Sequence, residues 1–248
     1  MDISLAAIAL LPGLAIGSFL NVVAARIPLR RSIVRPGSAC MACSSPLAWY
    51  DNIPLLSFAV LRGRCRRCGE PIPWRYPAVE ATSALLVAAC VLKFGASWDA
   101  LVAAFFCAAL VAVSATDLER QIIPNRVVLP ASAIVLVAKT ILHPSIEWAV
   151  AGAAAAAFLL LAALAYPGGM GMGDVKLALL LGAAVGRTVP VALFGGMVFA
   201  LVPSVVLLAR HGSAARKMRI PFGPFLAVGG VVALFAGKLI LNAYLGVL

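Results

Sequence analysis

Long apolar segments, most of them close to the length that crosses a bilayer, recur along almost the whole chain. A helix needs roughly 20 predominantly apolar residues for that crossing. The chain is 63% hydrophobic and only 12% charged, whereas soluble domains average about 45–50% and about 25%. The sequence therefore predicts an all-α polytopic membrane protein, embedded in the lipid bilayer, with about eight transmembrane helices. We expect these at residues 4–25, 78–94, 99–116, 127–142, 147–166, 174–188, 190–209 and 222–247.

The order of charges at the start of the chain predicts its orientation. The first cation, Arg26, follows the first apolar segment, whereas a secretion signal carries its cations before that segment. We therefore expect residues 4–25 to remain as a helix with the N-terminus outside. Four segments then face the cytoplasm, where loops collect Lys and Arg. They are residues 26–77, 117–126, 167–176 and 210–221, which hold nine, two, one and four of the 20 Lys and Arg residues.

The sixth predicted segment, 174–188, is short for a crossing. Arg187 and Pro190 interrupt the apolar run that contains it. Two crossings between 174 and 209, or a re-entrant pair of helices, leave the flanking segments on the same side of the membrane. The sequence alone leaves both arrangements open.

The only long polar segment, 26–77, carries a regular cysteine pattern. Cys40-x-x-Cys43 and Cys65-x-x-Cys68 are separated by 21 residues. Each pair can present two thiolates to one ion, and two pairs complete the tetrahedral shell that suits zinc. A shell of four cysteines leaves no open position, so this predicts a structural zinc site. The alternative, two disulfides, needs an oxidising compartment, and the nine cations of this segment argue against one.

The arginines of this loop have two interpretations. A basic zinc ribbon is typical of nucleic-acid binding, but anionic lipid headgroups attract the same charges. Because the topology already accounts for most of the net charge of +11, we expect no nucleic-acid partner. The arginines that surround the third cysteine are Arg62, Arg64, Arg66 and Arg67.

Two aspartates, Asp117 and Asp174, lie at the predicted cytoplasmic border of the membrane. Separately, each has a simple explanation: Asp117 ends a helix where it meets water, and Asp174 caps the helix that it begins. Together they form a candidate pair. If their helices pack against each other, the two carboxylates are close and share one proton. One member then takes a proton from water and the other donates a hydrogen bond to a substrate carbonyl. A proton-coupled transporter uses such intramembrane acids as well, so the residues alone leave the reaction open.

Four further polar residues adjoin the predicted helices. Asn21 and Arg26 either contact substrate or pack and anchor the first helix. Glu80 begins the second helix close in sequence to Arg75, which is a candidate ion-pair partner. Lys176 either tunes the ionisation of the aspartate two residues before it or extends to the lipid headgroups. The glycines that precede that aspartate either admit a peptide backbone or serve helix packing.

Six ordered blocks of the sequence resemble the type IV prepilin peptidase family. A lone Gly-x-Gly-Asp string arises easily by chance in glycine-rich membrane helices, but six blocks in order over nearly the whole chain are specific. The blocks are GSFLNVVAARIP (17–28), WYDNIPLLSFAVLRGRC (49–65), RYPAVE (75–80), TDLERQIIPN (116–125), GMGDVKL (171–177) and IPFGPFLAVGG (220–230).

The resemblance implies a membrane aspartic peptidase of the bacterial inner membrane whose catalytic aspartates are Asp117 and Asp174. Its substrates are prepilins or pseudopilins of type IV pili and type II secretion, cleaved after a glycine at the cytoplasmic face. The resemblance also implies N-methylation of the new N-terminus from S-adenosylmethionine, since members with the four-cysteine loop are generally bifunctional. A peptidase without methyltransferase activity remains the alternative, and the sequence identifies no donor-binding residue. The implied domains are a first helix at 1–25, the zinc-binding loop at 26–77 and the peptidase at 78–248.

Overall fold

The computed structural model describes residues 3–166, 169–212 and 220–246. Within these ranges the chain is helical and has no β-strand, only two isolated antiparallel bridges in the cysteine loop. This confirms the predicted all-α class. The helices are α1 Ile3–Arg26, α2 Leu56–Val60, α3 Arg75–Phe94, α4 Trp98–Arg120, α5 Asn125–Leu142, α6 Glu147–Ala165, α7 Met172–Val185, α8 Val189–His211 and α9 Gly223–Leu245.

Seven apolar helical stretches in the described residues are long enough to cross a membrane. All of the long helices contribute, but α7 and α8 form one 40-residue stretch, Met172–His211. A 3₁₀ turn at Gly186–Thr188 interrupts this stretch, and Gly186 there has a φ of 57°. The 14 residues of α7 rise only about 21 Å at about 1.5 Å per residue, short of a hydrocarbon core of about 30 Å.

The turn between α7 and α8 lies beside the start of α6. Glu147, in the first turn of α6, accepts hydrogen bonds from the backbone N–H and the Nε of Arg187, each at 2.9 Å. Along the same pair of helices, Gly152 and Gly182 let the backbones of α6 and α7 approach closely, because a Cβ on either residue would meet backbone atoms of the other helix. Helices α6 and α7 therefore run antiparallel over the full length of α7.

The chain forms two compact units, Met1–Ala115 and Thr116–Leu248, with their boundary inside α4. The first unit contains the cysteine loop, and the second contains both predicted catalytic aspartates. In the first unit, α1 packs on α3 through a Gly-x-x-x-Gly pair, a motif that lets membrane helices approach closely. A Cβ on Gly13 would lie 2.6 Å from Cα of Ala84, and one on Gly17 would lie 2.6 Å from Cα of Glu80.

Helix α7 is the centre of the second unit. Most of its side chains are buried, including Leu177, Leu180 and Leu181, because α5, α6 and α9 all pack against it. Helix α8 pairs with α9 at Gly196 and Gly229, but presents a row of exposed apolar residues on its other side. An exposed apolar face of this length suits contact with lipid rather than water.

Candidate active site and metal centre

The two cysteine pairs adopt the same backbone turn. In each turn the N–H of the residue four positions after the first cysteine donates to the carbonyl of that cysteine at 2.9 Å: Ser44 to Cys40, and Gly69 to Cys65. Both of these residues have positive φ, 55° for Ser44 and 74° for Gly69. This conformation is easy for glycine and uncommon for other residues. The loop therefore holds two matching knuckles.

The knuckles bring the four predicted ligands together. The Sγ atoms of Cys40, Cys43, Cys65 and Cys68 lie within 4.8 Å of one another, and those of Cys40 and Cys68 are 3.8 Å apart. A tetrahedral ion with Zn–S bonds of about 2.3 Å sets sulfur atoms about 3.8 Å apart. All six cysteines, which lie in the described part of the chain, are free thiols, so the disulfide alternative is not formed. The cluster can hold one metal ion and fits zinc.

The electrostatics of the four thiols are uneven. Hydrogen bonds from the side chain and backbone of Ser45 lower the pKa of Cys43 to about 6, and the backbone amides of Cys68 and Arg67 lower the pKa of Cys65. The backbone amide of Glu70 also lowers the pKa of Cys68, but burial and the neighbouring thiols outweigh it and raise that pKa to about 12. A cation bound by the cluster would deprotonate the thiols that coordinate it.

The structure brings Asp117 and Asp174 together in the second unit. Asp117 lies in the last turn of α4 and Asp174 in the first turn of α7, with 6% and 8% of their surfaces exposed. The backbone N–H of Gly223, at the start of α9, donates to Oδ2 of Asp117 at 2.9 Å. The N–H of Gly171 donates to Oδ2 of Asp174 at 3.3 Å. The carboxylates are close enough to interact electrostatically.

Two glycines allow close packing around the aspartates because they carry no Cβ atom. A Cβ on Gly223 would lie 2.8 Å from Oδ2 of Asp117, and one on Gly173 would lie 2.8 Å from Cβ of Ile123. Ile123, in the α4–α5 connection, therefore separates the starts of α7 and α9. A Cβ on Gly171 would meet Oδ2 of Asp174 at 3.4 Å, an ordinary contact. Gly173 and Gly223 thus serve close packing, and Gly171 leaves space on the side of the carboxylate.

The capping explanation for Asp174 also holds in part, because its side chain accepts the N–H that precedes the first turn of α7. This bond engages only Oδ2, as does the bond from Gly223 to Asp117. The bonds from Gly171 and Gly223 thus leave Oδ1 of each aspartate for a water molecule or a substrate. Two buried carboxylates that interact electrostatically can share one proton, an arrangement suited to attack by water on a carbonyl.

Lys176 joins α7 to the start of α5. Its Nζ donates to Oδ1 of Asn125 at 2.8 Å. Our sequence analysis missed Asn125, Ile123 and Gly223 as site residues. The signal that could have found them is their place in the matching blocks 116–125 and 220–230.

The other three predicted polar residues, Asn21, Arg26 and Glu80, lie in the first unit. One predicted basic segment lies partly outside the described residues. Asn21 donates to the carbonyl of Tyr76 at 3.1 Å, so it joins α1 to α3. Arg26 donates to two loop carbonyls and closes the start of the loop. Glu80 accepts the N–H of Leu55 at 2.9 Å. Of the predicted basic segment 210–221, residues 213–219 lie outside the described ranges.

The loop arginines differ in their environments. Arg66 forms a bidentate ion pair with Asp51 at 2.8–3.1 Å and lies 5.4 Å from the ring centroid of Tyr50. The hydrogen bonds to Asp51 raise the pKa of Arg66. At least one of the four clustered arginines therefore braces the loop rather than facing an external anion.

Membrane-length helices with two buried aspartates at the ends of α4 and α7 define a polytopic membrane protein with paired acid groups. The bacterial peptidase A24 N-terminal domain matches residues 11–94, and the type IV leader peptidase family matches residues 104–205. The chain belongs to the type IV leader peptidase family.

Curated relatives cover nearly the whole chain. A prepilin leader peptidase/N-methyltransferase of Bacillus subtilis is 36% identical over 94% of this chain and 95% of its own length. Proteins with the same name are 34% identical in Pseudomonas aeruginosa, over 95% and 92%, and 40% identical in Myxococcus xanthus, over 82% and 64%. These names do not favour the transporter or the peptidase-only alternative. No solved structure matches this chain.

Proposed function

We propose that this chain is a bifunctional prepilin leader peptidase and N-methyltransferase of the bacterial inner membrane. It cleaves the short basic leader of prepilins or pseudopilins after a glycine, and methylates the new N-terminal amine. The observation that carries the proposal is the meeting of Asp117 and Asp174, each with one oxygen bound by a backbone amide. The names of its relatives support the substrate and both reactions.

The aspartate pair accounts for cleavage without a covalent intermediate. The ionised carboxylate takes a proton from water, and the hydroxide so formed attacks the carbonyl carbon of the glycine. The protonated carboxyl donates a hydrogen bond to the carbonyl oxygen, where negative charge develops. The C–N bond then breaks, and the proton held by the pair passes to the leaving amine. The amides of Gly171 and Gly223 keep both carboxyl groups in place during these transfers.

The second reaction depends on the first, because the amine that accepts the methyl group exists only after cleavage. Bound S-adenosylmethionine supplies an electrophilic methyl group. The role of the protein is to hold the donor and to keep water away from it. The proposed zinc ion has a structural role, since the four cysteines leave no coordination position for substrate.

The dyad is tested by cleavage of a purified prepilin, with mass spectrometry of the product N-terminus in the presence of S-adenosylmethionine. We expect Asp117→Asn and Asp174→Asn each to lower the cleavage rate by at least about 100-fold, since a general acid or base contributes roughly that much. Asp99→Asn, the same change at the other end of α4, is the control and should cleave at nearly the wild-type rate. If either aspartate variant is folded and cleaves at nearly the wild-type rate, Asp117 and Asp174 are not the catalytic pair.

A further inference from the structure

Helix α2, in the cysteine loop, turns an apolar face away from the protein. Leu56 and Val60 are 57% and 67% exposed, and Ala59 is exposed beside them. Residues three and four positions apart share one face of a helix. On the opposite side, Ser57 is buried, and its hydroxyl donates to the carbonyl of Tyr50 at 2.7 Å. The outward face of α2 therefore has no cover among the described residues.

A hydrogen bond sets the level of α2 along the membrane helices. The N–H of Leu55, the residue before α2, donates to Oε2 of Glu80 at 2.9 Å, and Glu80 is the sixth residue of α3. The 20 residues of α3 rise about 30 Å, which matches the hydrocarbon core of a bilayer. The first turns of α3 therefore lie at one boundary of that core, and α2 lies beside them.

An aromatic pair joins α2 to the start of α3. Trp74 directly precedes α3 and is 75% exposed, and its ring centroid lies 4.9 Å from that of Phe58 in α2. Phe58 packs over Gly63, where a Cβ would lie 3.0 Å from Cζ of the ring. Tryptophan is enriched where a membrane meets water, because its ring suits the level of the headgroups. The exposed ring of Trp74 thus adds to the apolar surface of α2.

Two arginines border the same surface. Arg62 and Arg64 line an open groove of 640 Å³, and Phe58 and Trp74 form part of its walls. Both arginines are exposed, and neither forms an ion pair with a described residue. The segment 26–77 holds nine cationic residues and two acidic ones, and one of the two acids already forms an ion pair. The groove is therefore complementary to an anion.

We propose that α2 is an interfacial helix whose apolar face lies in the lipid of the inner leaflet, while Arg62 and Arg64 bind the phosphate groups of anionic phospholipids. Helices that lie in a membrane surface combine an apolar face with nearby cations, and the anionic lipids of the inner leaflet attract such cations. A single-stranded nucleic acid would engage the arginines and rings but would leave Leu56 and Val60 in water. The inference does not depend on the proposed catalytic function.

The depth of α2 is tested by tryptophan fluorescence of the purified full chain, reconstituted in vesicles of phosphatidylglycerol and phosphatidylcholine. The four native tryptophans are changed to phenylalanine, and Val60→Trp then reports from α2. We expect lipids with brominated acyl chains to quench this tryptophan, because its ring lies among those chains. Iodide in the water should quench it far less.

Val34→Trp is the matched control, since this valine is also exposed, at 76%. It lies in the turn 32–37, which Arg26 holds at the end of α1 by donating to two of its carbonyls. Arg26 is five residues beyond Asn21, which bonds to Tyr76 at the start of α3. The turn is therefore farther from the hydrocarbon core than α2. Iodide should quench Val34→Trp, and brominated lipid should not.

The headgroup preference is measured with Trp74 as the single tryptophan. We expect brominated phosphatidylglycerol to associate with it at least about fivefold more strongly than brominated phosphatidylcholine, since each arginine near a membrane surface contributes about that factor. Combining Arg62→Gln with Arg64→Gln should abolish the preference. Combining Arg31→Gln with Arg35→Gln, the same changes on either side of the control turn, should preserve it.

A folded Val60→Trp protein that iodide quenches as strongly as Val34→Trp would overturn the proposal. Thermal unfolding shows whether each variant is folded. If Val60→Trp does not fold, the Trp74 measurement decides: equal association with the two brominated lipids overturns the proposal, and a preference that disappears with the two groove arginines supports it. An RNA oligonucleotide that quenches Trp74 where phosphatidylglycerol does not would assign the groove to nucleic acid and also overturn the proposal.

Discussion

Gly223 has two separate tasks at the aspartate pair. Its N–H donates to Asp117, and the absence of a Cβ lets that carboxylate approach to within hydrogen-bond distance. Lys176 holds the start of α7, where Asp174 lies, against Asn125. The position of each aspartate is thus determined by a residue that carries no catalytic group.

We expect Gly223→Ala to impair cleavage far more than it impairs folding. The new Cβ would lie 2.8 Å from Oδ2 of Asp117, so the carboxylate or the start of α9 must move. A misplaced catalytic group costs on the order of 100-fold in rate, which prepilin cleavage assays measure directly. Gly195→Ala is the matched control, because its Cβ would make only an ordinary contact at 3.7 Å. Equal rates for the two variants would contradict the geometry.

At the scale of elements, the paired knuckles predict that the folding of the cysteine loop depends on a bound metal ion. The loop has one five-residue helix, one short 3₁₀ turn and two isolated bridges over its described residues. A metal ion that binds four thiolates therefore contributes to the folding of the loop, since the binding free energy of such sites is folding free energy.

We expect one zinc ion for each chain, measured by elemental analysis, and loss of that ion in Cys65→Ser. Chelation should also open the loop to trypsin between residues 26 and 77, because the turns that hold the backbone around its exposed arginines in a fixed conformation would unfold. Cys90→Ala changes a buried cysteine on α3 outside the cluster and should leave the zinc content unchanged. A wild-type protein that is free of metal yet resists trypsin equally would show that the cluster has no structural ion.

The helices, the cysteine cluster and the two aspartates were predictable because each has a local signal: apolar length, Cys-x-x-Cys spacing, and acids at helix ends. The partners of the aspartates had no such signal. Gly223 is 106 residues from Asp117, and Asn125 is 51 residues from Lys176. The packing of helices determines those contacts. The periodicity of apolar residues in one helix does not predict which other helix it packs against. The close approach of α1 to α3 was missed although its Gly-x-x-x-Gly spacing was readable.

At the scale of the whole molecule, the Glu147–Arg187 pair bears on the crossing that the sequence left open. It joins the start of α6 to the turn after α7, so the chain returns to the level of that start before α8 begins. This supports two crossings between 172 and 211 over a re-entrant pair, even though α7 is short.

The predicted orientation can be measured with a membrane-impermeant maleimide on intact cells. The wild type should not be labelled, because the predicted orientation places the loop cysteines in the cytoplasm and Cys90 and Cys107 are buried. Ser145→Cys, in the exposed α5–α6 connection, should become labelled, whereas Gln121→Cys in the α4–α5 connection should not. The expectation follows from the concentration of Lys and Arg in the cytoplasmic segments. The reverse pattern would invert the topology.

The donors to both aspartates are main-chain amides, which has a consequence for mutational tolerance. No exchange of one side chain for another deletes these donors; only proline at 171 or 223 does so, since it has no N–H. Random substitution near the site therefore acts through crowding far more often than through a missing donor. Most mutations selected by an inhibitor of this site would therefore leave the hydrogen bonds that support both carboxylates intact.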